Sequence, residues 1–303
     1  MKYDINKLIP IKNIQKKKNL VKPNWIKIKL PVDNKKINKM KSILKKNKLI
    51  TVCENALCPN LPECFNNKTA TFMILGNICT RSCPFCAIKN GRPNIVDKKE
   101  PLRLAQLIYK LKLKYVVLTS VNRDDLKDAG ALHFANCIKE IRKINGLKTK
   151  IEILVPDFRK KINIALQYIV DNTPDVFNHN IESIPRLYKK IRPGANYYNS
   201  LKLLKKFNKL FPNIPTKSGL MVGLGETKSE IIKVLIDLLK NNVSMLTIGQ
   251  YLQPSKNHLP VVKYYTPYEF SQIQKKAISM GFAKAYCGVF VRSSYHASKQ
   301  IIV

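Results

Sequence analysis

From residue 71 onward, short runs of apolar and β-branched residues alternate with longer stretches whose apolar positions recur at helical spacing. The short runs predict six strands, at 71–75, 115–119, 150–155, 175–178, 216–222 and 245–248. The longer stretches predict helices near 101–112, 132–145, 160–170, 184–190 with 198–210, 227–241, and 267–280. Six successive strand–helix units predict a parallel sheet with right-handed crossovers. We therefore expect an α/β fold, a partial TIM-type (β/α)6 barrel, with its chemistry beyond the C-terminal ends of the strands.

The residues on either side of this regular region predict an N-terminal extension and a C-terminal segment that closes the barrel mouth. Residues 1 to about 50 carry 16 Lys, no Arg and two acids, Asp4 and Asp33, with a weak apolar pattern. Such a stretch favours extended chain and a short helix that wrap over a core. We divide the chain into an extension over 1–68, a barrel over 69–282 and a C-terminal segment over 283–303.

The length and the charge of the chain limit its domain number and its partners less strictly than the strand and helix pattern limits its fold. With 303 residues and 45% hydrophobic residues, the chain is long enough for one large core or two ordinary ones. The net charge of +36 would favour nucleic acid, but Lys outnumbers Arg 46 to 9, which is typical of compositional bias rather than a phosphate site. We expect no nucleic-acid partner, and an acidic protein partner instead. No apolar run of about 18 residues and no hydrophobic leader is present, so we expect a cytoplasmic protein without a membrane span.

The cysteines are the most informative residues. Six of the eight fall within 34 residues, as two triplets of different spacing. The first triplet is Cys53-x4-Cys58-x5-Cys64, and the second is Cys79-x3-Cys83-x2-Cys86. Thiolates gathered in this way favour a soft metal centre, and each triplet is one ligand short of the four that a zinc ion or a cubane iron–sulfur cluster takes.

Zinc and disulfides are the alternatives to iron–sulfur clusters. Structural zinc sites favour Cys-x2-Cys pairs completed by another pair, and only Cys83 and Cys86 have that spacing. None of the four histidines lies near a triplet. Disulfides are favoured in small secreted domains, which this chain does not resemble in length or in its N-terminus. Iron–sulfur clusters are therefore the favoured interpretation, with zinc second.

The two triplets together resemble a known family. The second triplet is similar to the radical S-adenosylmethionine (SAM) signature, and the first is similar to the auxiliary-cluster motif of the lipoyl synthase family. Further segments agree with that family along nearly the whole chain: 22–25, 119–126, 175–182, 192–194, 216–226, 249–254 and 292–295. One superfamily motif is absent, because Thr119-Ser-Val121 replaces the Gly-Gly-Glu that is common after the second strand, as it does in lipoyl synthases.

The resemblance implies two 4Fe-4S clusters and S-adenosyl-L-methionine. SAM would fill the open iron of one cluster and be cleaved to a 5′-deoxyadenosyl radical, while the auxiliary cluster would be consumed as the sulfur donor. The fourth auxiliary ligand would be the second serine of Arg292-Ser-Ser-Tyr295. The implied ligands are Cys79, Cys83 and Cys86 for the SAM cluster, and Cys53, Cys58, Cys64 and Ser294 for the auxiliary cluster.

Polar residues near the predicted strand ends are candidate SAM contacts. Glu182 is suited to accept ribose hydroxyls, and Arg192 or Arg123 to pair with a carboxylate through the planar guanidinium. Residues 219–226 resemble the motif that lines the adenine end of the cofactor, and the following Thr227-Lys-Ser-Glu230 predicts a helix capping box. The expected cofactor-binding residues are Thr119, Arg123, Asn180, Glu182, Arg192 and Glu226.

The resemblance also implies the reaction and its partners. The substrate would be an octanoyl chain on a lysine of a lipoyl carrier domain, such as the E2 subunits of 2-oxoacid dehydrogenases or the H protein of glycine cleavage, with sulfur inserted at C6 and C8. A reductant such as flavodoxin or ferredoxin and an iron–sulfur carrier protein would be needed. Two rivals remain: a radical SAM methylthiotransferase acting on RNA, and a non-catalytic carrier of electrons with two clusters.

Overall fold

The computed structural model describes residues 20–27, 34–56, 58–66 and 71–299. Residues 1–19 of the predicted extension and the last residues of the predicted C-terminal segment lie outside these ranges. Within the described part of the chain, no helix is both long and apolar enough to cross a membrane.

A single sheet of seven parallel strands organises the described chain, and its strands follow one another in sequence order. The strands are β1 Thr71–Ile74, β2 Tyr115–Ser120, β3 Lys150–Leu154, β4 Val176–Asn178, β5 Thr216–Val222, β6 Met245–Gln250 and β7 Lys284–Gly288. Every neighbouring pair is parallel, and among the described residues β1 and β7 do not pair with each other. The sheet is therefore an open, partial TIM-type barrel, which confirms the predicted fold class.

The seventh strand corrects the predicted count of six. Lys284–Gly288 pairs with β6 from Met245↔Lys284 to Gly249↔Gly288, although we assigned this stretch to the closing C-terminal segment. It shows little apolar alternation, because a strand at the edge of the sheet buries only Ala285 fully. The six predicted strands lie within two residues of their observed bounds.

Helices cover the outside of the sheet. They are α1 Lys35–Lys46, α2 Val52–Asn55, α3 Leu61–Asn66, α4 Glu100–Leu111, α5 Ala131–Asn145, α6 Ile162–Val170, α7 Tyr188–Ile191, α8 Tyr197–Leu210, α9 Lys228–Lys240 and α10 Pro267–Met280. The predicted capping box at α9 is present: the Thr227 hydroxyl accepts from the Glu230 N–H, and the Glu230 carboxylate accepts from the Thr227 N–H.

The described part of the extension packs against the start of the sheet. Helix α1 buries Ile37, Met40 and Leu44 in the main apolar core. The chain then runs beside β1, where the Met73 N–H donates to the Ile50 carbonyl and Thr51 bridges Phe72 in antiparallel sense. This contact brings the following helices α2 and α3, which carry the first cysteine triplet, to the edge of the sheet.

Candidate active site

A cavity of about 580 Å³ lies at the C-terminal ends of the strands, where the fold predicts the site. Five cysteines from both triplets line it: Cys53 and Cys58 from the first, and Cys79, Cys83 and Cys86 from the second. The volume falls within the range of roughly 300–1,000 Å³ that is typical of small-molecule sites. One cavity therefore joins two motifs that belong to different parts of the fold.

A second cavity of about 270 Å³ adjoins the first and contains all of the first triplet. Cys53 and Cys58 line both cavities, and Cys64 lines the smaller one. Arg292 and Ser294 also line both. The shared residues form a common wall, which places three of the four predicted auxiliary ligands between the two cavities.

The second triplet lies on a loop that directly follows β1. The Cys79 N–H donates to the Lys89 carbonyl at 2.8 Å, and the Cys79 carbonyl accepts from the Gly91 N–H at 2.9 Å, which closes the loop at its base. The Cys79 sulfur accepts from the Arg81 N–H at 3.4 Å and from the Asn122 side-chain amide at 3.7 Å. These two hydrogen bonds hold the sulfur at the base of the loop.

Arg81, between two of these cysteines, anchors the loop to the ends of β2 and β3. Its guanidinium donates to Asp124 at 2.6 and 2.7 Å and to Asp157 at two distances of 2.8 Å. Burial acts to lower the pKa of Arg81, but the hydrogen bonds to the two carboxylates outweigh it and the pKa is raised. The cluster loop is thus held by a buried ionic network.

The thiols of both triplets suit a positively charged metal centre. Burial raises the pKa of Cys53 and Cys83 to about 11 and that of Cys86 to about 12, and it also raises the pKa of Cys58. Thiols with such pKa values lose their protons when a metal supplies the compensating charge. Among the described residues, no three His, Cys, Asp or Glu side chains meet as the ligands of one metal ion do. The second triplet instead lines the larger cavity and the first triplet the smaller one, and a four-iron cluster, in which each cysteine binds a different iron, fits that arrangement.

The C-terminal segment folds back over the strand ends and reaches the first triplet. The Asn60 side-chain amide donates to the Phe290 carbonyl at 2.7 Å, and the Tyr295 hydroxyl donates to Glu63 at 2.7 Å. Gly249 at the end of β6 permits this approach, because a Cβ there would lie 2.1 Å from the Val291 carbonyl oxygen. The segment therefore closes the mouth beside α3.

The two serines of this segment face different surroundings. The Ser294 hydroxyl accepts from the Thr71 hydroxyl at 2.7 Å, on the β1 side where the first triplet lies. Thr71 is also hydrogen-bonded to Cys53 and thereby acts to lower the pKa of that thiol, against the larger effect of burial. The Ser293 hydroxyl donates to the Asn180 side-chain oxygen at 2.7 Å, inside the larger cavity. The predicted ligand and its neighbour thus have different partners, Thr71 for Ser294 and Asn180 for Ser293.

Glu182 and Arg192 bring opposite charges to the larger cavity. Glu182 has a φ of +65°, which is uncommon for a residue with a side chain, and backbone hydrogen bonds to Gly219 and Met221 hold it there. Its carboxylate accepts from the Asn180 amide at 2.9 Å, and burial raises its pKa. Arg192 donates to the Asn180 carbonyl at 3.0 Å. The strained backbone therefore directs a carboxylate with remaining acceptor capacity into the cavity.

Two buried polar atoms on the wall of this cavity have no hydrogen-bond partner among the described residues: the Ser120 hydroxyl and the Asn122 side-chain oxygen. Buried polar groups are nearly always paired, so unpaired ones that face a cavity indicate a polar ligand. Ser120 ends β2 and Asn122 follows that strand, beside the Cys79 loop. This wall therefore fits a cofactor with an amino acid and a sugar, such as SAM.

The predicted SAM contacts do not all reach the cavity. Thr119, Asn180, Glu182 and Arg192 line it. Arg123 and Glu226 do not. The Arg123 guanidinium pairs with Asp125 at 2.8 Å and donates to the Leu75 carbonyl. The Glu226 carboxylate accepts from the N–H groups of Gly223 and Leu224, so it shapes the turn after β5.

Other residues of the site are not among the predicted cofactor contacts. Arg81 and Asn122 contact the Cys79 loop, while Asp157 anchors it. His179 lines the cavity, and burial lowers its pKa to about 4, so the imidazole is neutral. Arg81 could have been identified from the sequence, because it lies inside the second cysteine triplet. Asp157 lies on another loop, and nothing in its sequence surroundings indicated the pairing.

Comparison with known proteins agrees with the fold and the cysteine motif. The family model described as the Radical SAM superfamily matches residues 73–238, more than half of the chain. Two solved structures of Streptococcus suis SuiB, bound to S-adenosylmethionine and to its precursor peptide, superpose with TM-scores of 0.54 and 0.55 at 12% identity. They cover 76% and 89% of this chain, which spans 55% and 57% of theirs, and they support the fold alone. The fold and the site place the chain in the radical SAM class.

More similar relatives define the family within that class. The lipoyl synthase of Wigglesworthia glossinidia brevipalpis is 63% identical over 296 residues, 97% of this chain and 93% of that protein. The lipoyl synthase of Buchnera aphidicola subsp. Cinara cedri is 62% identical over 99% of this chain and 96% of its own length. That of Vibrio cholerae is 59% identical over 97% of this chain. The chain belongs to the lipoyl synthase family.

Proposed function

We propose that this enzyme inserts two sulfur atoms, at C6 and C8, into an octanoyl chain carried on a lysine of a lipoyl carrier domain. The observation that carries the proposal is the opening of both cysteine triplets into one cavity of a radical SAM barrel. A radical source and a sulfur source must both reach the same substrate carbons in turn. A shared cavity meets that requirement without moving the substrate between sites.

Each triplet would hold one 4Fe-4S cluster, with Cys79, Cys83 and Cys86 on the SAM side. When bound, the clusters and SAM supply the radical that removes hydrogen and the sulfur that replaces it. The first triplet with Ser294 would hold the auxiliary cluster, since Ser294 lines the same small cavity as all three thiols. A serine oxygen is a harder ligand than thiolate and suits an iron site that has to open.

The residues of the larger cavity would orient SAM. Glu182 would accept the ribose hydroxyls, because its carboxylate is aimed inward by the strained backbone. Arg192 would pair with the methionine carboxylate, since its guanidinium donates to one carbonyl and to one tyrosine hydroxyl and to no carboxylate among the described residues. Ser120 and Asn122 would bond the remaining polar groups of the amino acid.

The rest of the cavity wall suits an alkyl chain. Apolar side chains from α2, from β1, from the Cys79 loop and from the ends of β3 and β5 line it: Val52, Met73, Phe85, Leu154 and Met221. An apolar wall with few polar groups holds a hydrocarbon by burial and excludes water from the reacting carbons. The octanoyl chain would lie along this wall, between the two triplets.

The partners follow from the chemistry and the charge. The substrate is an octanoylated lipoyl carrier domain, and E2 subunits and the glycine cleavage H protein are the carriers we propose. A net charge of +36 would speed the encounter with an acidic carrier. We further propose flavodoxin or ferredoxin as the reductant and an iron–sulfur carrier protein that rebuilds the auxiliary cluster.

Triple cysteine variants test this function. Anaerobically reconstituted protein should hold about eight irons as two four-iron clusters. Replacing Cys79, Cys83 and Cys86 with alanine should remove about half of them and abolish 5′-deoxyadenosine formation. Replacing Cys53, Cys58 and Cys64 should also remove half, but SAM cleavage should continue while lipoyl product disappears.

The two cysteines outside the triplets provide the control. Cys137 is buried in α5 and Cys287 lies on β7, and neither lines a described cavity. The Cys137→Ala and Cys287→Ala variants should keep the full iron content and the lipoyl product. Lipoyl product from the Cys53, Cys58, Cys64 variant would contradict the assigned roles, and zinc in place of iron would contradict the cofactors.

A further inference from the structure

A fully buried ion pair lies inside the barrel, and Tyr115, which donates to its carboxylate, lines the smaller cavity. The Lys217 ammonium on β5 is 3.1 and 3.3 Å from the two carboxylate oxygens of Glu152 on β3, and both side chains are 0% exposed. Glu152 also accepts from the Asn178 amide at 2.7 Å and from the Tyr115 hydroxyl at 2.6 Å. Both carboxylate oxygens are therefore saturated by donors from the sheet.

Lys217 also reaches out of the sheet to the C-terminal segment. Its ammonium donates to the Ser293 carbonyl at 2.5 Å. On the same face of β5, Gly219 leaves room for Ser293, because a Cβ there would lie 2.8 Å from the serine hydroxyl oxygen. The Ser293 side chain in turn donates to Asn180 at 2.7 Å. The segment is thus attached to the barrel floor through the residue that precedes Ser294.

Stability alone does not account for such a pair. Two buried charges lose their hydration, and apolar side chains of similar size often stabilise a protein as well or better. An apolar pair does not, however, provide a charged donor for the Ser293 carbonyl, which lies in a segment without a helix or strand. The ammonium provides a hydrogen bond with a defined direction.

We propose that Lys217, held by Glu152, is a positioning residue that sets the rotation of the C-terminal segment so that Ser294 faces the first cysteine triplet. With the Ser293 carbonyl drawn down to Lys217, the following side chain is directed to the β1 side, where Thr71 contacts it. The inference rests on the proposed function, in which Ser294 completes the auxiliary ligand set. It adds a pair that nothing in the cysteine motifs or in the Arg-Ser-Ser-Tyr motif indicates.

The test measures how well the auxiliary cluster keeps its fourth iron. A four-iron cluster that lacks its fourth protein ligand loses one iron on mild oxidation, and the three-iron product has its own electron paramagnetic resonance signal. The full-length protein with Cys79, Cys83 and Cys86 replaced by alanine serves as background, so that the signal comes from the auxiliary site. Ser294→Ala in this background sets the rate expected without the serine ligand.

The double variant Lys217→Met with Glu152→Gln removes the ammonium without leaving a buried carboxylate unpaired. We expect the three-iron form to appear about tenfold faster than in the background protein, equivalent to about 1.4 kcal/mol. In the enzyme with all six cysteines, the same variant should keep 5′-deoxyadenosine formation and lose lipoyl product. A loss confined to sulfur insertion separates positioning from general damage to the fold.

Glu100→Gln is the matched control. Glu100 is a buried carboxylate that accepts from His133 at 2.7 Å and from the Leu75 N–H, and among the described residues none of its side-chain hydrogen bonds goes to the C-terminal segment. It should lower stability and leave the oxidation rate at the background value. If the double variant does not fold, Glu152→Gln alone should still raise the rate about twofold, equivalent to about 0.4 kcal/mol.

The outcomes separate this inference from the proposed function. Suppose that Ser294→Ala converts quickly to the three-iron form, while the double variant, or Glu152→Gln where that variant is used, converts at the background rate. That result would overturn the role of Lys217 and leave the serine ligand in place. A background rate in Ser294→Ala itself would overturn the serine ligand and the inference that rests on it. Fast conversion in Glu100→Gln would also overturn the inference, since any buried charge change would then have the same effect.

Discussion

Arg81 offers the sharpest test of how the cluster loop is held. Its side chain is 6% exposed, and its partners differ, because Asp157 is 3% exposed while Asp124 is 30% exposed. Removing one partner of a buried ion pair costs about 3–5 kcal/mol, since a buried charge remains uncompensated. We expect Arg81→Met to lower the free energy of unfolding by about that amount. Most of the loss should come from Asp157, because Asp124 can be hydrated by solvent.

The two carboxylates provide an internal comparison. Asp157→Asn should cost several times more than Asp124→Asn, which is partly exposed and should cost about 1 kcal/mol. Arg142→Met is the control, since the Arg142 and Asp175 side chains are 22% and 20% exposed and lie away from the cluster loop. Urea unfolding of the apoprotein, followed by circular dichroism at a constant m-value, measures all four variants.

The pH dependence adds a second check with a definite sign. The Arg81 hydrogen bonds lower the pKa of Asp157, although burial alone would raise it. A lowered pKa contributes stability above the ordinary value of about 3.9, and that stability is lost as pH falls through the lowered pKa. The difference in free energy of unfolding between the parent and Arg81→Met should therefore be largest near neutral pH and become smaller in acid. Equal costs for the two aspartates, or a gap that grows in acid, would refute the reasoning.

Three further predictions follow from the site. In product analysis, Ser294→Ala should keep 5′-deoxyadenosine formation and lose most lipoyl product, whereas Ser293→Ala should lose little of either. Ser294→Cys should bind the cluster yet resist its opening. The reverse order for the two alanine variants would place the ligand on Ser293. Because the pKa of His179 is lowered to about 4 by burial and by Arg192, stability should fall between pH 6.5 and 4. In urea titrations, His179→Gln should remove about 3 kcal/mol of that fall in the free energy of unfolding. An unchanged dependence of the free energy of unfolding on pH would contradict this prediction. Binding of an octanoylated carrier should weaken with salt, because exposed charges are screened beyond a Debye length of about 8 Å at physiological ionic strength; equal affinity at low and high salt would show that the lysines play no part.

Local patterns were sufficient for much of the fold. Strands β1 to β6 are short apolar runs between amphipathic helices. Both faces of a parallel sheet are covered, so these strands are apolar enough to be recognised in the sequence. Strand β7 is an edge strand with few buried residues, so its composition did not reveal it. Lys217 and Glu152 were likewise hidden, since polar residues in a strand pattern do not show that they face each other across a barrel.

The candidate site divides along the same line. The cysteine triplets are local motifs, and their spacing alone indicated two metal centres. Contacts between distant loops need the topology: Arg81 meets Asp157 across 76 positions, and Thr71 meets Ser294 across 223. Arg123 and Glu226 were predicted from their motifs to contact SAM, and in the structure their side chains contact Asp125 and the turn after β5, which only the topology shows.

The return of the C-terminal segment to the first triplet has a consequence for how the enzyme is made in the cell. A ribosome adds about 5–20 residues per second, so the 223 positions between Thr71 and Ser294 take roughly 10–45 s to synthesise. During that interval the first triplet has been synthesised without the serine and the tyrosine that later contact Thr71 and Glu63. The contacts between the C-terminal segment and the surroundings of the first triplet can therefore form only when synthesis is nearly complete.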